Sequence, residues 1–154
     1  MIHYLDDIDP PSPAEGLHRP LFLRKMSVTI YTFGFKFPDY QKKLDSRQVV
    51  KVYDVREAIN DLPPKLESGQ RVRDLSGKDL IVREAIMKNP AAQQYVDKLV
   101  EEVLNMCETP STSQLSIAVG CKSGRHRSAT VAYEICSRLE EAGIRCKVHN
   151  LYIS

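Results

Sequence analysis

A short apolar run, Leu115–Val119, passes directly into the nine residues GCKSGRHRS, Gly120–Ser128, and these pass into an amphipathic pattern. No other feature restricts the fold as much. "LSIAVG" is a short, mostly apolar strand suited to burial on both faces, as strands are in a parallel sheet. From about Arg127 to Ala142, Val131, Ala132, Ile135, Cys136 and Leu139 recur at helical spacing, with Gly143 as the C-terminal stop. The segment IRCKVHNLYI at 144–153 supplies a last strand. Strand, loop, helix and strand in that order imply an α/β domain, and in such sheets ligands sit at the carboxyl ends of the strands.

The front of the chain agrees. SVTIYTF (Ser27–Phe33) is rich in β-branched and aromatic residues and runs into Gly34, and VVKVYDV (Val49–Val55) repeats the pattern. The polar stretch between them is interrupted by Pro38, and residues 60–79 read as a long loop, which in a compact domain is either functional or disordered. Asn89 and Pro90 form a helix start, followed by Val96, Leu99, Val100, Val103, Leu104 and Cys107 at helical spacing. The expected architecture is three-layer α/β, a mainly parallel sheet with helices on both faces. At 154 residues and 42% hydrophobic content the chain suits one domain. Residues 1–26, with four prolines and a cluster of acids, read as an extended or weakly ordered arm, and 27–154 as the folded unit.

A net charge of only +2 means that attraction for anions must come from local clustering. No apolar run approaches a membrane span and the N-terminus lacks the order of a secretory signal, so a soluble, cytoplasmic protein is expected. The four cysteines, at 107, 121, 136 and 146, include no Cys-x-x-Cys pair and no zinc pattern. Neither a metal nor a cofactor is expected. Cys107, Cys136 and Cys146 read as packing residues, and Tyr31, Phe33 and Tyr53 as core; only Cys121 sits among charges.

A buried strand followed by a glycine loop and a helix leaves backbone N–H groups unpartnered at the helix start, backed by the positive end of the helix dipole. An oxyanion suits that spot. Gly124 lets the backbone curl closely, Arg127 can offer a fork to phosphate oxygens, and Ser128 can bond the ligand or Cys121. Lys122, Arg125 and Arg127 would otherwise be unfavourable at a helix N-terminus. A sharper reading is catalytic. Cys121, Gly124, Arg127 and Ser128 fit the Cys-x-x-Gly-x-x-Arg-Ser pattern of cysteine-dependent phosphatases, with Cys121 as nucleophile and Arg127 as clamp. Asp54, Asp74 and Asp79 are then the candidate general acids, and Gly120 stands where those phosphatases usually carry His.

Three ordered motifs carry a family resemblance. Thr32–Phe33–Gly34–Phe35–Lys36, Asp54–Val55–Arg56 and Gly120–Ser128 resemble the Ser-Phe-Gly-Phe-Lys, Asp-Val-Arg and Gly-Cys-Thr-Gly-Gly-Lys-His-Arg-Ser motifs of the C-terminal domain of the RapZ family of bacterial RNase adapters. The resemblance spans about residues 27 to 149. It implies a domain similar to a phosphofructokinase half that binds glucosamine 6-phosphate, acts through a protein partner, self-associates as a homo-oligomer and, in the adapter, grips a small RNA. By position, Lys36, Asp54, Arg56, Cys121, Ser123, Gly124, His126, Arg127 and Ser128 would line the pocket, with Lys122 and Arg125 in the same loop.

The chain departs from the family in places. Thr32 stands for Ser, Lys122–Ser123 for Thr-Gly, and Arg125 for Lys, while no Gly-x-x-x-x-Gly-Lys-Ser/Thr nucleotide loop is present. His149–Asn150–Leu151 replaces the family's Arg-His-Arg and basic tail, which weakens the expectation of RNA binding, although Lys42, Lys43, Arg71 and Arg73 could form a patch. The first reading is therefore a sensor for a phosphorylated metabolite, an amino-sugar phosphate, with a phosphatase and an RNA-binding adapter as alternatives.

Overall fold

The computed structural model describes residues 26–109 and 113–153. Apart from Met26, which is 2% exposed and belongs to the core, the arm expected over residues 1–26 lies outside the described residues. Along the chain run β1 (Ser27–Gly34), α1 (Tyr40–Asp45), β2 (Lys51–Asp54), a 3-10 turn (Val72–Asp74), α2 (Leu80–Met87), α3 (Pro90–Cys107), β3 (Gln114–Cys121), α4 (Arg127–Glu141) and β4 (Arg145–Asn150). The sheet has the order β2-β3-β1-β4 and every pairing is parallel.

Because side chains alternate along a strand, each central strand feeds two layers. Val28 and Ile30 of β1 and Ile117 and Val119 of β3 join Val96, Leu99, Val103, Val131, Ile135 and Leu139 in the main core, beneath α2, α3 and α4. Phe33 and Ala118 belong to a second, smaller cluster completed by Leu44 of α1, with Tyr31, Phe35 and Tyr40 packed against it. The expected three-layer arrangement is present, with one layer much thinner than the other.

The helices start and stop as their residues dictate. Asn89 Oδ1 accepts the Ala91 N–H at 2.9 Å and Pro90 occupies the first turn of α3. At the end of α4, Gly143 takes φ 85°, a left-handed conformation that favours glycine. Two helices were missed in the sequence. α2 carries Val82 and Ile86 one turn apart, and the six-residue α1 holds a single fully buried residue, Leu44. β2 is shorter than Val49–Val55: at this edge only Tyr53 is buried within the strand, while Val50 and Val52 are 66% and 46% exposed. Tyr31 and Cys146, read as interior, are half-buried. Among the described residues no helix is long and apolar enough to cross a membrane.

The chain leaves β1 through α1 on one face of the sheet and leaves the adjacent β3 through α4 on the other. At the carboxyl ends of these two strands Gly34 pairs with Cys121.

Candidate functional site

The loop after β3 lies against the backbone of β1. Parallel pairing continues past both strands: Phe35 donates its N–H to Cys121 O at 2.9 Å, and Lys36 to Lys122 O at 3.0 Å. This approach leaves no room for side chains. A Cβ on Gly34 would lie 2.5 Å from the Ser123 carbonyl carbon, and one on Gly124, at φ 73°, would lie 2.7 Å from that of Phe33. The two glycines of separate motifs therefore form one contact.

Among the described residues, no acceptor receives the backbone N–H of Lys122, Ser123, Gly124, Arg125 or His126, nor that of Arg127, Ser128 or Ala129 in the first turn of α4. Helix starts always leave a few such groups, but here the free run extends back through the loop. It occurs where the helix dipole is positive. Cys121 and Ser128, 2% and 0% exposed, support the loop from inside through a contact of 3.2 Å between Sγ and Oγ.

The side chains of Arg125, His126 and Arg127 are engaged with another segment. Arg127 is buried, and its Nη1 donates to the carbonyls of Arg56 at 3.1 Å and Ile59 at 3.0 Å, while Nε lies 3.7 Å from Asp61 Oδ1. His126 Nε2 lies 2.9 Å from Val72 O and 2.8 Å from Leu75 O; two carbonyls can only accept, so this nitrogen carries the hydrogen. Arg125 Nη2 donates to Leu75 O at 2.9 Å, and Gly77 N–H donates to Arg125 O at 2.7 Å. The buried Arg127 guanidinium requires acceptors, and two carbonyls supply them to Nη1 without an anion. Together these bonds hold the segment 56–77 as a wall facing the loop.

Between wall and loop lies a cleft of about 510 Å³. Cys121, Lys122, Ser123, His126 and Arg127 line one side, and Asp61, Pro63, Pro64, Lys65 and Arg73 are among those lining the other. Lys65, Arg71, Arg73, Lys122 and Arg127 bring five cations against one carboxylate, Asp61. The cleft is thus electropositive, with Leu62, Pro63, Pro64 and Val72 as apolar parts of its lining.

A model of the RapZ C-terminal domain matches residues 26–153. The chain belongs to the RapZ C-terminal domain family. Proteins called nucleotide-binding proteins are similar to it: one from Clostridium beijerinckii is 30% identical over 131 residues, covering 82% of this chain and 40% of that protein. Another, from Desulfovibrio desulfuricans, is 32% identical over 123 residues, covering 78% and 36%. A third, from Caldicellulosiruptor bescii, is 34% identical over 127 residues, covering 80% and 40%. The chain spans about two fifths of the length of these curated relatives.

Of the residues that the RapZ motifs single out, Cys121, Ser123, His126 and Arg127 line the cleft with Lys122. Gly124 and Ser128 shape the loop from behind. Lys36, Asp54 and Arg56 do not line it. Lys36 is joined to the loop through its backbone and has its ammonium 5.2 Å from the Phe37 ring centre. Asp54 and Arg56 form an ion pair at 2.6 Å, and the Arg56 guanidinium lies 3.9 Å above the Phe35 ring. Among the candidate acids, Asp54 is paired with Arg56, Asp74 with Arg71, and Asp79 accepts the Ser76 N–H. The cleft carboxylate is Asp61, which the sequence did not distinguish. Its only signal was its place in a long proline-bearing loop.

Hydrogen bonding from the Arg56 side chain holds the Asp54 carboxyl below its ordinary range, assisted by the Arg56 N–H and the nearby charges of Arg56 and Arg127. A lowered carboxyl contributes stability above its ordinary value, and that contribution is lost as pH falls through the lowered one. An NMR titration is expected to place the Asp54 midpoint below the ordinary aspartate range, with Arg56→Gln moving it upward. An unmoved midpoint in that variant would contradict the assignment of cause.

Proposed function

We propose that this RapZ C-terminal-like domain is a binding module for a small phosphorylated metabolite, an amino-sugar phosphate such as glucosamine 6-phosphate, whose occupancy is read by a protein partner. The observation that carries the reading is the run of backbone N–H groups from Lys122 to Ala129 that no described residue accepts, at the edge of a five-cation cleft. A phosphate accepts several such groups at once and gains from the helix dipole behind them. The sugar would extend toward Pro63, Pro64 and Val72, with Asp61 as the carboxylate available to an ammonium.

The route to a partner runs through the wall. Arg125, His126 and Arg127 join the phosphate loop to residues 56–77 through five hydrogen bonds to carbonyls, so a ligand that tightens the loop also positions that exposed segment. The same side chains argue against phosphatase chemistry. Arg127 Nη1 is taken by two carbonyls, and none of the three candidate acids lines the cleft.

Calorimetric titration tests the reading. Glucosamine 6-phosphate is expected to bind more tightly than inorganic phosphate, unphosphorylated glucosamine is expected not to bind, and Cys121→Ser is expected to retain binding. No binding by any phosphorylated compound would overturn the reading. Release of phosphate from an aryl phosphate, abolished by Cys121→Ser, would replace it with the phosphatase.

A further inference from the structure

Arg83, in the first turn of α2, does not line the ligand cleft, yet its side chain reaches the backbone that holds the end of the ligand loop. Its Nη1 donates to Gly77 O at 2.9 Å and to Lys78 O at 3.0 Å. Its guanidinium lies 5.1 Å from the centre of the Tyr133 ring on α4. Among the described residues no carboxylate forms an ion pair with it. A guanidinium donates in fixed directions, so two carbonyls and a ring face together fix the turn against the helix.

The turn that Arg83 grips is also tied to itself. Ser76 N–H donates to Asp79 Oδ2 at 2.8 Å, Lys78 N–H to Ser76 Oγ at 3.1 Å, and Asp79 N–H to Ser76 O at 2.9 Å. Within it, Gly77 touches the ligand loop and α4 at once. Its N–H donates to Arg125 O at 2.7 Å, and a Cβ on it would lie 2.5 Å from Ala129 Cβ, 2.9 Å from Thr130 N and 3.0 Å from His126 O. His126 O accepts the Thr130 N–H at 3.0 Å, so Gly77 sits against the first turn of α4, next to the free N–H groups.

The contacts of Arg83 lead back to the other support of the same loop. The Tyr133 hydroxyl accepts from Asn150 Nδ2 at 3.0 Å, and Asn150 Oδ1 accepts the Thr32 hydroxyl at 2.6 Å. Thr32 stands just before Phe33 and Gly34, and Gly34 packs on the Ser123 backbone. A continuous set of contacts, Thr32 to Asn150 to Tyr133 to Arg83 to Gly77 to Arg125, therefore joins the strand beneath the loop to the residue near its end, crossing α4 at Tyr133. The placing of the loop N–H groups depends on where these two supports stand.

We propose that Arg83 is a positioning residue for the ligand loop: through Gly77 and Arg125 it sets the backbone that presents the N–H groups from Lys122 to Ala129, without touching the ligand. The proposal rests on the reading of that loop as an oxyanion site, but its first consequence is visible without ligand. Alanine at position 83 would leave the Gly77 and Lys78 carbonyls without their donor and release the turn from Tyr133, so Arg125 O and the first turn of α4 would lose a fixed neighbour.

The test compares amide NMR spectra of the full chain without ligand and then titrates inorganic phosphate. Arg83→Ala is expected to shift the amide signals of Arg125, His126 and Arg127 and to weaken phosphate binding about tenfold. Arg83→Lys keeps the charge without the planar fork and is expected to shift the same signals less; it gives the same comparison where the alanine variant fails to fold. Arg138→Ala is the control for general loss of stability, because Arg138 joins the last turn of α4 to Asp97 of α3, at the opposite end of the helix from the loop. It is expected to leave both measurements unchanged. Loop signals unmoved in the Arg83 variants, signals moved with phosphate affinity retained, or an equal effect of Arg138→Ala would each overturn the proposal. Absence of phosphate binding by the unsubstituted protein counts against the oxyanion reading alone, and the ligand-free spectra then decide the role of Arg83.

Discussion

Gly34→Ala is expected to lower the unfolding free energy by about 3 kcal/mol and to remove phosphate binding together with it. The methyl group would sit 2.5 Å from the Ser123 carbonyl carbon, 2.8 Å from its oxygen and 2.9 Å from its Cα, all of them backbone atoms that no rotamer change can move. Relief requires the phosphate loop to separate from β1, which breaks the bonds from Phe35 N–H to Cys121 O and from Lys36 N–H to Lys122 O. Gly69→Ala is the control. Its φ is 89° and nothing lies within 4 Å of its Cβ, so its cost is the backbone strain alone, about 1 kcal/mol. Urea unfolding of both variants measures the difference. Equal costs would show that the loop moves away from β1 easily, and the site geometry described above would then be wrong.

Arg127→Ala is expected to lower stability by about 3 kcal/mol and phosphate affinity by about tenfold or more. The guanidinium is buried and satisfies the carbonyls of Arg56 and Ile59, which alanine would leave without a donor. It also faces Asp61, whose charge would then stand in the cleft without its nearest cation. Arg127→Lys separates these effects, because an ammonium keeps the charge and loses the planar fork that reaches two carbonyls. Affinity largely retained with stability lost would assign Arg127 to the wall alone. The reverse result would place its guanidinium on the ligand.

The local chemistry of the ligand loop was legible because it is written in consecutive residues. An apolar strand, glycines at 120 and 124, and the amphipathic spacing from Val131 to Leu139 require no distant partner to be recognised. Asn89 and Pro90 marked the start of α3 for the same reason. The helix α1 was not legible, since Leu44 is its only fully buried residue and Tyr40 gains its place by stacking on Phe33 with ring centres 5.2 Å apart. Residues 60–79 could be read only as functional or disordered. Their order depends on His126, Arg125 and Arg127, which lie far along the chain.

The roles of the basic residues were the part most altered by the third dimension. Charge at a helix N-terminus pointed to an anion, and the free N–H groups still do. Arg125, His126 and Arg127, however, are bonded to carbonyls of the opposite wall, and the Asp54–Arg56 pair closes on itself outside the cleft.

By itself the sequence determined the α/β class, the strand–loop–helix unit and the position of the ligand loop, because alternation, helical spacing and glycine placement act over a few residues at a time. Only the tertiary structure decided which side chains face the cleft, that Asp61 is its carboxylate, and that Gly34 and Gly124 are one contact. Those outcomes depend on desolvation and close packing between segments about 70 to 90 residues apart, and a buried guanidinium takes whatever acceptors the fold brings to it.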